Sequence, residues 1–286
     1  MSYKEHRGLS PSSLALFTGC QRKYYYKKVA KIPIDSDVSE EQENFDIGKT
    51  FHKVLEDRMH VLSGLTLSEV IKTAATFNLG EEKAPLIFAM LGKYKIMHEK
   101  AGLEATSCEV IIDTPTFYGI ADVILTDSKK NWWVGDMKTS ASYSPLLVPT
   151  LAKHPQLNLY GYHHKEIAEV VGLDPEKYMG CRYRLTTKSK ASKKVKEETV
   201  DFINRISDTI RSIDYILPKD KMAGEEMYEM HSHAVKYMAT CAEVAPGEKS
   251  LFKPNYGNCL SYFRPCEYFS NCHGSLFTES KVESVE

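Results

Sequence analysis

The sequence predicts an α/β protein with a mixed central sheet flanked by helices. Three observations carry this. Residues 105–113 (ATSCEVIID), 117–125 (FYGIADVIL) and 131–137 (NWWVGDM) are short β-branched or aromatic runs separated by turn-like breaks, which is the pattern of consecutive strands. A further strand fits 178–185 (YMGCRYRL), reached only after a helical segment over 153–170. Helical periodicity precedes and follows this block, so the sheet has helices to cover it.

The elements follow in order. Residues 10–30 read as a helix, with Ser10 or Ser12 as cap, Pro11 in the first turn and Leu14, Leu16, Phe17 and Tyr24 as apolar surface. Residues 35–46 carry six acids and no base, which predicts an exposed loop. Helices are expected over 46–62, 66–77 and 81–100. The three strands come next, then the helix starting near His154-Pro155, then the fourth strand. From the basic segment 182–196 a long helix is expected to about 216, and another over 224–242. The tail from 249 is turn-rich and carries cysteines. The first and last segments lack strands in this reading and must pack on the core or on each other.

Composition bounds the function. A chain of 286 residues suits one large domain or two modest ones. Apolar residues make up 42% and charged residues 26%, an ordinary globular balance. There are 37 Lys+Arg against 38 Asp+Glu, which excludes a uniformly basic binder but leaves room for a local basic groove. No stretch approaches the ~18 apolar residues of a membrane helix. The opening MSYKEHRGLS has no apolar signal core, so an intracellular, cytoplasmic setting is expected, where structural disulfides are rare.

The strand cluster carries the first chemistry. Asp122 lies in an apolar strand, and Asp136 and Lys138 end the next. Residues i and i+2 share a strand face, so Asp136 and Lys138 point the same way and Met137 points into the core. A hairpin turn around Asp127–Lys130 brings Asp122 alongside. Two carboxylates suit Mg²⁺ or Mn²⁺, and the lysine suits orienting or deprotonating an attacking water, or stabilising phosphate charge. A D-x-K triplet alone is expected about once in a chain this long. Its weight comes from ending an apolar strand after Gly119-x-x-Asp122. Gln156 and Tyr160, four apart on a helix, share a face and suit holding a phosphate or a base. His52 in GKTFHKVLE is a further ligand candidate, against the ordinary fate of a lone helix histidine.

Seven cysteines need another explanation. Cys259, Cys266 and Cys272 fall within 14 residues, and Cys20 sits in the N-terminal helix. Four thiolates suit an iron–sulfur cluster or a structural Zn²⁺, although the spacing is not that of a zinc ribbon. Cys108, Cys181 and Cys241 read as buried thiols. Two basic groups suit nucleic acid. Arg182, Arg184, Lys188, Lys190, Lys193, Lys194 and Lys196 occur with no acid among them, and Arg22, Lys23, Lys27, Lys28 and Lys31 surround Tyr24, Tyr25 and Tyr26. Each is also compatible with a solvated helix face.

Taken together, these residues resemble the PD-(D/E)XK nuclease superfamily in its RecB-like branch. The matching positions are Gly48-x-x-x-His52, Gly119-x-x-Asp122, Asp136-Met137-Lys138 and Gln156-x-x-x-Tyr160, in the family's order, with SPSSLALFTGCQRKYYY like its N-terminal segment. The resemblance spans roughly residues 9–273. It implies a restriction-endonuclease-like core in a single nuclease domain over 1–286, with the sheet within 101–185. It implies a catalytic Mg²⁺ or Mn²⁺ held by His52, Asp122, Asp136 and the carbonyl of Met137. Lys138 then positions the water, and Gln156 and Tyr160 contact the substrate or steady the site. Glu109 is a weaker candidate. It further implies a [4Fe–4S] cluster on Cys20, Cys259, Cys266 and Cys272 that joins segments 1–30 and 249–273, with Zn²⁺ as the alternative occupant. The commonest version of that cysteine plan has a shorter gap between the second and third cysteines.

The expected activity is metal-dependent hydrolysis of DNA from single strands or free ends, by an exonuclease serving recombination, repair, phage DNA processing or CRISPR adaptation. Arg22, Lys23, Arg182 and Arg184 are the expected DNA contacts. The competing readings are an inactive iron–sulfur DNA-binding module and a zinc-bearing structural protein.

Overall fold

The structure, a computed structural model, describes residues 10–33, 39–115, 117–143, 150–244, 249–255, 259–261, 264–268 and 271–272. A five-stranded mixed sheet forms its centre, in the order β1-β2-β3-β4-β5. β1 (Glu104–Asp113), β2 (Tyr118–Thr126) and β3 (Trp132–Ser140) form an antiparallel meander. The β2–β3 turn is fixed by Asp127, whose carboxylate accepts the amides of Lys129 and Asn131, both at 2.9 Å. A crossover through α6 (Pro155–Tyr162) and α7 (His164–Val171) then lays β4 (Tyr178–Thr187) parallel to β3. β5 (Ser212–Pro218) closes the sheet antiparallel to β4.

Helices cover both faces. On one side pack α1 (Pro11–Gly19), α6, α7 and α9 (Gly224–Val244), bringing Leu14, Phe17, Leu157, Leu159, Ile167 and Met227 against Ile112, Ile124, Val134 and Cys181. On the other pack α3 (Ser39–Asp57), α4 (Leu67–Thr76), α5 (Ala84–Ala101) and α8 (Thr199–Ser207), with Phe51, Leu55, Val70, Met90, Tyr94 and Phe202 against Val123, Leu125 and Met137. Local chemistry sets the ends of these helices. Thr66 and Glu69 form a reciprocal capping box on α4, and Gly102 ends α5 with φ +62°. Among the described residues no helix is long and apolar enough to cross a membrane.

Several boundaries differ from expectation. The acidic stretch 35–46 is not all loop: α3 already begins at Ser39, where carboxylates favour a helix N-terminus. The helix expected over 10–30 is interrupted at Cys20, whose backbone is extended, before α2 (Gln21–Tyr24) and a π-turn over Tyr25–Val29. The helix expected over 153–170 breaks at His163. The long helix expected to 216 stops at Ser207, and 212–218 is β5. Ile206, Ile210, Ile213 and Leu217 recur at helical spacing, but Ile213 to Leu217 also fits a strand on β4. The tail holds a two-residue ladder of β6 (Leu260–Ser261) with β7 (Arg264–Pro265).

The N-terminal helices contact the described residues of the C-terminal tail. Arg22 donates from Nε to the carbonyl of Phe252 at 2.7 Å, and Tyr26 donates its hydroxyl to the carbonyl of Asn271 at 2.6 Å. The Tyr26 and Tyr268 rings lie 5.4 Å apart.

Candidate active site and the cysteine cavity

The site begins with a fault in the sheet. Ala121 and Val123 are two apart and in a regular strand would face the same side. Instead Ala121 joins the core under α6 and Val123 the core under α5. On β1, Val110 and Cys108 divide the same way. The change falls at Asp122 and at Glu109, which has φ +50°. That left-handed backbone costs a glutamate about 1–2 kcal/mol, a strain that clusters at functional sites.

The fault also ends strand pairing. β2 and β3 are laddered only from Thr126–Trp132 to Val123–Gly135. Beyond that the Met137 amide donates to Oδ2 of Asp122 at 2.7 Å. The carbonyl of Ile120, on the same splayed end, accepts the Tyr160 hydroxyl. Gln156 donates to that hydroxyl at 3.1 Å. Tyr160 is buried and burial pushes its phenol far up, so it holds β2 in place as a neutral donor. Both motif glycines are explained by close approach. A Cβ on Gly119 would lie 2.6 Å from the Phe117 ring and 3.0 Å from Tyr160, and one on Gly48 would lie 3.1 Å from Oγ1 of Thr139.

Asp122, Asp136, Lys138 and His52 come together there. Lys138 Nζ donates to Oδ1 of Asp136 at 2.6 Å, and Nδ1 of His52 lies 4.0 Å from Oδ2 of Asp122. Asp136 is fully buried, and its Oδ2 has no partner among the described residues. Burial raises both carboxyls, with Lys138 opposing. For Lys138, burial pulls downward, but Asp136 and Asp122 outweigh it and hold the ammonium above its usual value. Burial, then Lys138, pulls His52 down to about 4, so its ring is neutral at pH 7 and able to ligate.

A neutral imidazole and two carboxylates, one of them with an orphaned buried oxygen, fit a hard divalent cation. Among the described residues no group of three or more His, Cys, Asp or Glu side chains is already gathered tightly enough to hold one.

His52, Asp122 and Lys138 open into a cleft of about 670 Å³, also lined by Phe45, Lys49, Lys53, Glu56, Phe77, Glu109 and Lys188, with Asp136 buried behind them. Glu109 is thus in the cleft, its carboxyl raised by burial and then by Asp122 and Glu56. Sequence reasoning missed Lys49, Lys53 and Glu56, although they share one helical face with His52. It also missed His154, read only as a helix start. Its ring carries a buried Nδ1 without a partner among the described residues, and Asp136 opposes the burial that lowers its pKa.

The structure does not bring the four expected DNA-contacting cations to this cleft. Arg182 and Arg184 lie on the sheet face under α5, opposite to the side chains of Asp136 and Lys138, and are bonded to Asp214 at 2.6 and 3.2 Å. Arg184 is buried and also reaches the Tyr94 hydroxyl at 2.9 Å and Nδ1 of His98 at 2.8 Å. β4 side chains alternate, so arginines beside the acid face of β3 must point away from it. Arg22 binds the Phe252 carbonyl, and Lys23 pairs with Glu267 at 2.7 Å.

The fault at Asp122, the Asp136–Lys138 pair and the Tyr160 tether occur together on one splayed sheet end, and the PD-(D/E)XK nuclease family model matches residues 8–273. The chain belongs to the PD-(D/E)XK nuclease superfamily. No curated protein matches it. The five-stranded mixed sheet with helices on both faces is the restriction-endonuclease-like core of that superfamily.

A second cavity, of about 310 Å³, is lined by Cys20, Cys259, Cys266 and Cys272 with Lys23, Asn255 and Tyr268. The break at Cys20 turns its thiol toward the C-terminal tail, where the Asn255 amide donates to Sγ at 3.4 Å. The Cys266 amide donates to the Cys259 carbonyl at 2.8 Å, beside the β6–β7 ladder. Burial raises the Cys259 thiol, and Cys272, Cys20 and Cys266 raise it further. Of the other cysteines, Cys181 is buried and Cys108 half-buried. The side chain of Cys241 lies outside the described residues.

Proposed function

We propose that this chain is a Mg²⁺- or Mn²⁺-dependent deoxyribonuclease of the RecB-like type that hydrolyses DNA from free ends. The observation that carries this reading is the buried Oδ2 of Asp136, an acceptor with no partner among the described residues, on the carboxylate whose Oδ1 pairs with Lys138. Asp122, Asp136, neutral His52 and the main-chain carbonyl of Met137 would hold the cation. The chemistry such an ion supplies is polarisation of the phosphoryl oxygen and acidification of water. Lys138, held charged by both carboxylates, supports the attacking water and the phosphate through its Nζ protons. Its use as a base requires those carboxylate charges to be neutralised first. Tyr160 and Gln156 act by holding the Ile120 carbonyl and hence Asp122.

The second cofactor of this reading is a [4Fe–4S] cluster on Cys20, Cys259, Cys266 and Cys272, which line one cavity. The cluster would staple the N-terminal segment to the tail. Recombination, repair, phage DNA processing and CRISPR adaptation are the settings that call for such an enzyme.

The test incubates anaerobically purified protein with end-labelled single- and double-stranded DNA in Mn²⁺, Mg²⁺ or EDTA, beside Lys138→Ala. Metal-dependent cleavage lost in the variant supports the reading, and the ladder gives the polarity. DNA binding without cleavage by either protein leaves an inactive binding module. Iron and sulfide analysis, against zinc, decides the second cofactor.

A further inference from the structure

We propose that Phe45 and Phe77, with Lys49 and Lys188, form a stacking site for an unpaired nucleotide at the rim of the cleft, which makes a single strand or frayed end the preferred substrate. This rests on the nuclease reading above.

α3 divides into two faces. Ile47, Phe51, Val54 and Leu55 are buried, whereas Phe45, Lys49, His52, Lys53 and Glu56 line the cleft. Phe45 therefore stands on the polar face of its helix, 60% exposed, where core packing does not account for it. Phe77, just past the end of α4, lines the same cleft. Lys49 Nζ lies 4.3 Å from the Phe45 ring centroid and 5.8 Å from that of Phe77, so two rings and a cation converge from separate elements. Lys49 is also paired with Asp46 at 3.2 Å, and Lys53 with Glu56 and Asp57 at 3.0 and 2.9 Å. Lys188 differs. It donates to the carbonyl and Oδ1 of Asn44 at 2.6 and 3.3 Å, and among the described residues it has no carboxylate within ion-pair distance.

Exposed rings beside cations in a groove suit single-stranded nucleic acid, because each base offers a π face and each nucleotide a phosphate. Bases inside a duplex already stack on each other and cannot offer those faces. Phe45 lies seven residues from His52, or about 10 Å along the helix. A strand covers that in about three nucleotides at duplex rise, and in fewer when stretched.

The test uses full-length protein and an oligonucleotide carrying 2-aminopurine near its end, single-stranded or in a blunt duplex. Binding is read in EDTA and cleavage in Mn²⁺ for wild type, Phe45→Ala, Phe77→Ala and Phe45→Trp. The expected result is about tenfold or greater loss of single-strand affinity in the alanine variants, with 2-aminopurine no longer stacked, duplex affinity unchanged and Phe45→Trp close to wild type. Unchanged single-strand affinity in Phe45→Ala, or equal losses on both substrates, overturns the proposal. If the wild type cleaves and the rings do not matter, stacking alone fails. If the rings govern binding but no protein cleaves, the nuclease reading fails and stacking stands.

Discussion

The carboxylate of Asp122 takes the backbone amide of Met137 at 2.7 Å, so a side chain on β2 completes a hydrogen bond that the β2–β3 ladder no longer supplies. One carboxylate oxygen serves structure, which leaves the charge of the group for chemistry.

Asp122→Asn separates these two roles. The amide oxygen still accepts from Met137, so the protein should fold, and removal of a carboxyl that burial already raises should leave the melting temperature equal or higher. Metal-dependent cleavage should fall by at least about 100-fold, since a charged ligand is lost. Melting curves and single-turnover cleavage read both arms.

Tyr160→Phe should act at a distance. It strips the Ile120 carbonyl of its donor, and leaving a buried acceptor unpaired costs about 1–3 kcal/mol. The expected outcome is a lower urea midpoint together with a reduced turnover rate and little change in DNA affinity. Gln156→Leu, which removes only the donor to that phenol, should have a smaller effect on both measurements.

Acid should destabilise the fold through the reverse face of the sheet. Burial, followed by neighbouring His98 and Arg184, lowers His60 from 6.5 to about 3, and burial with Arg184 lowers His98 from 6.5 to about 4. Both folded values lie below the unfolded ones, so the unfolded chain binds more protons in between. Stability is then full above about pH 6.5 and falls as pH drops toward 4. Chemical unfolding from pH 7 to 4.5 should show this slope, and His60→Asn should flatten it.

Replacing Cys266 with Ser should remove visible absorption from anaerobically purified protein and lower its melting temperature. The cavity would then hold three thiols in place of four, and metal binding couples to folding. Iron content near zero in the wild type would refute the cluster, and stoichiometric zinc would replace it.

Much of the sheet was legible because its signals are local. The β-branched runs and the Asp127 turn define β1 to β3, and two-residue alternation alone places Asp136 and Lys138 together. What was not legible depends on pairing. β5 carries apolar residues at a spacing that also suits a helix, and only β4 selects the strand. Arg182 and Arg184 look like a DNA-binding run until β4 turns them toward Asp214 and the Tyr94–His98 side of α5. The fault at Glu109 leaves no compositional mark, because a glutamate at φ +50° is imposed by its surroundings.

The bond from Arg22 to the Phe252 carbonyl spans 230 residues of chain. During synthesis at about 5–20 residues per second, the N-terminal segment leaves the ribosome roughly 10–50 s before its docking partner exists. Throughout that interval Cys20 is a solitary thiol and Tyr26 has no tail to grip. Any group shared by Cys20, Cys259, Cys266 and Cys272 can be taken up only after residue 272 has been made.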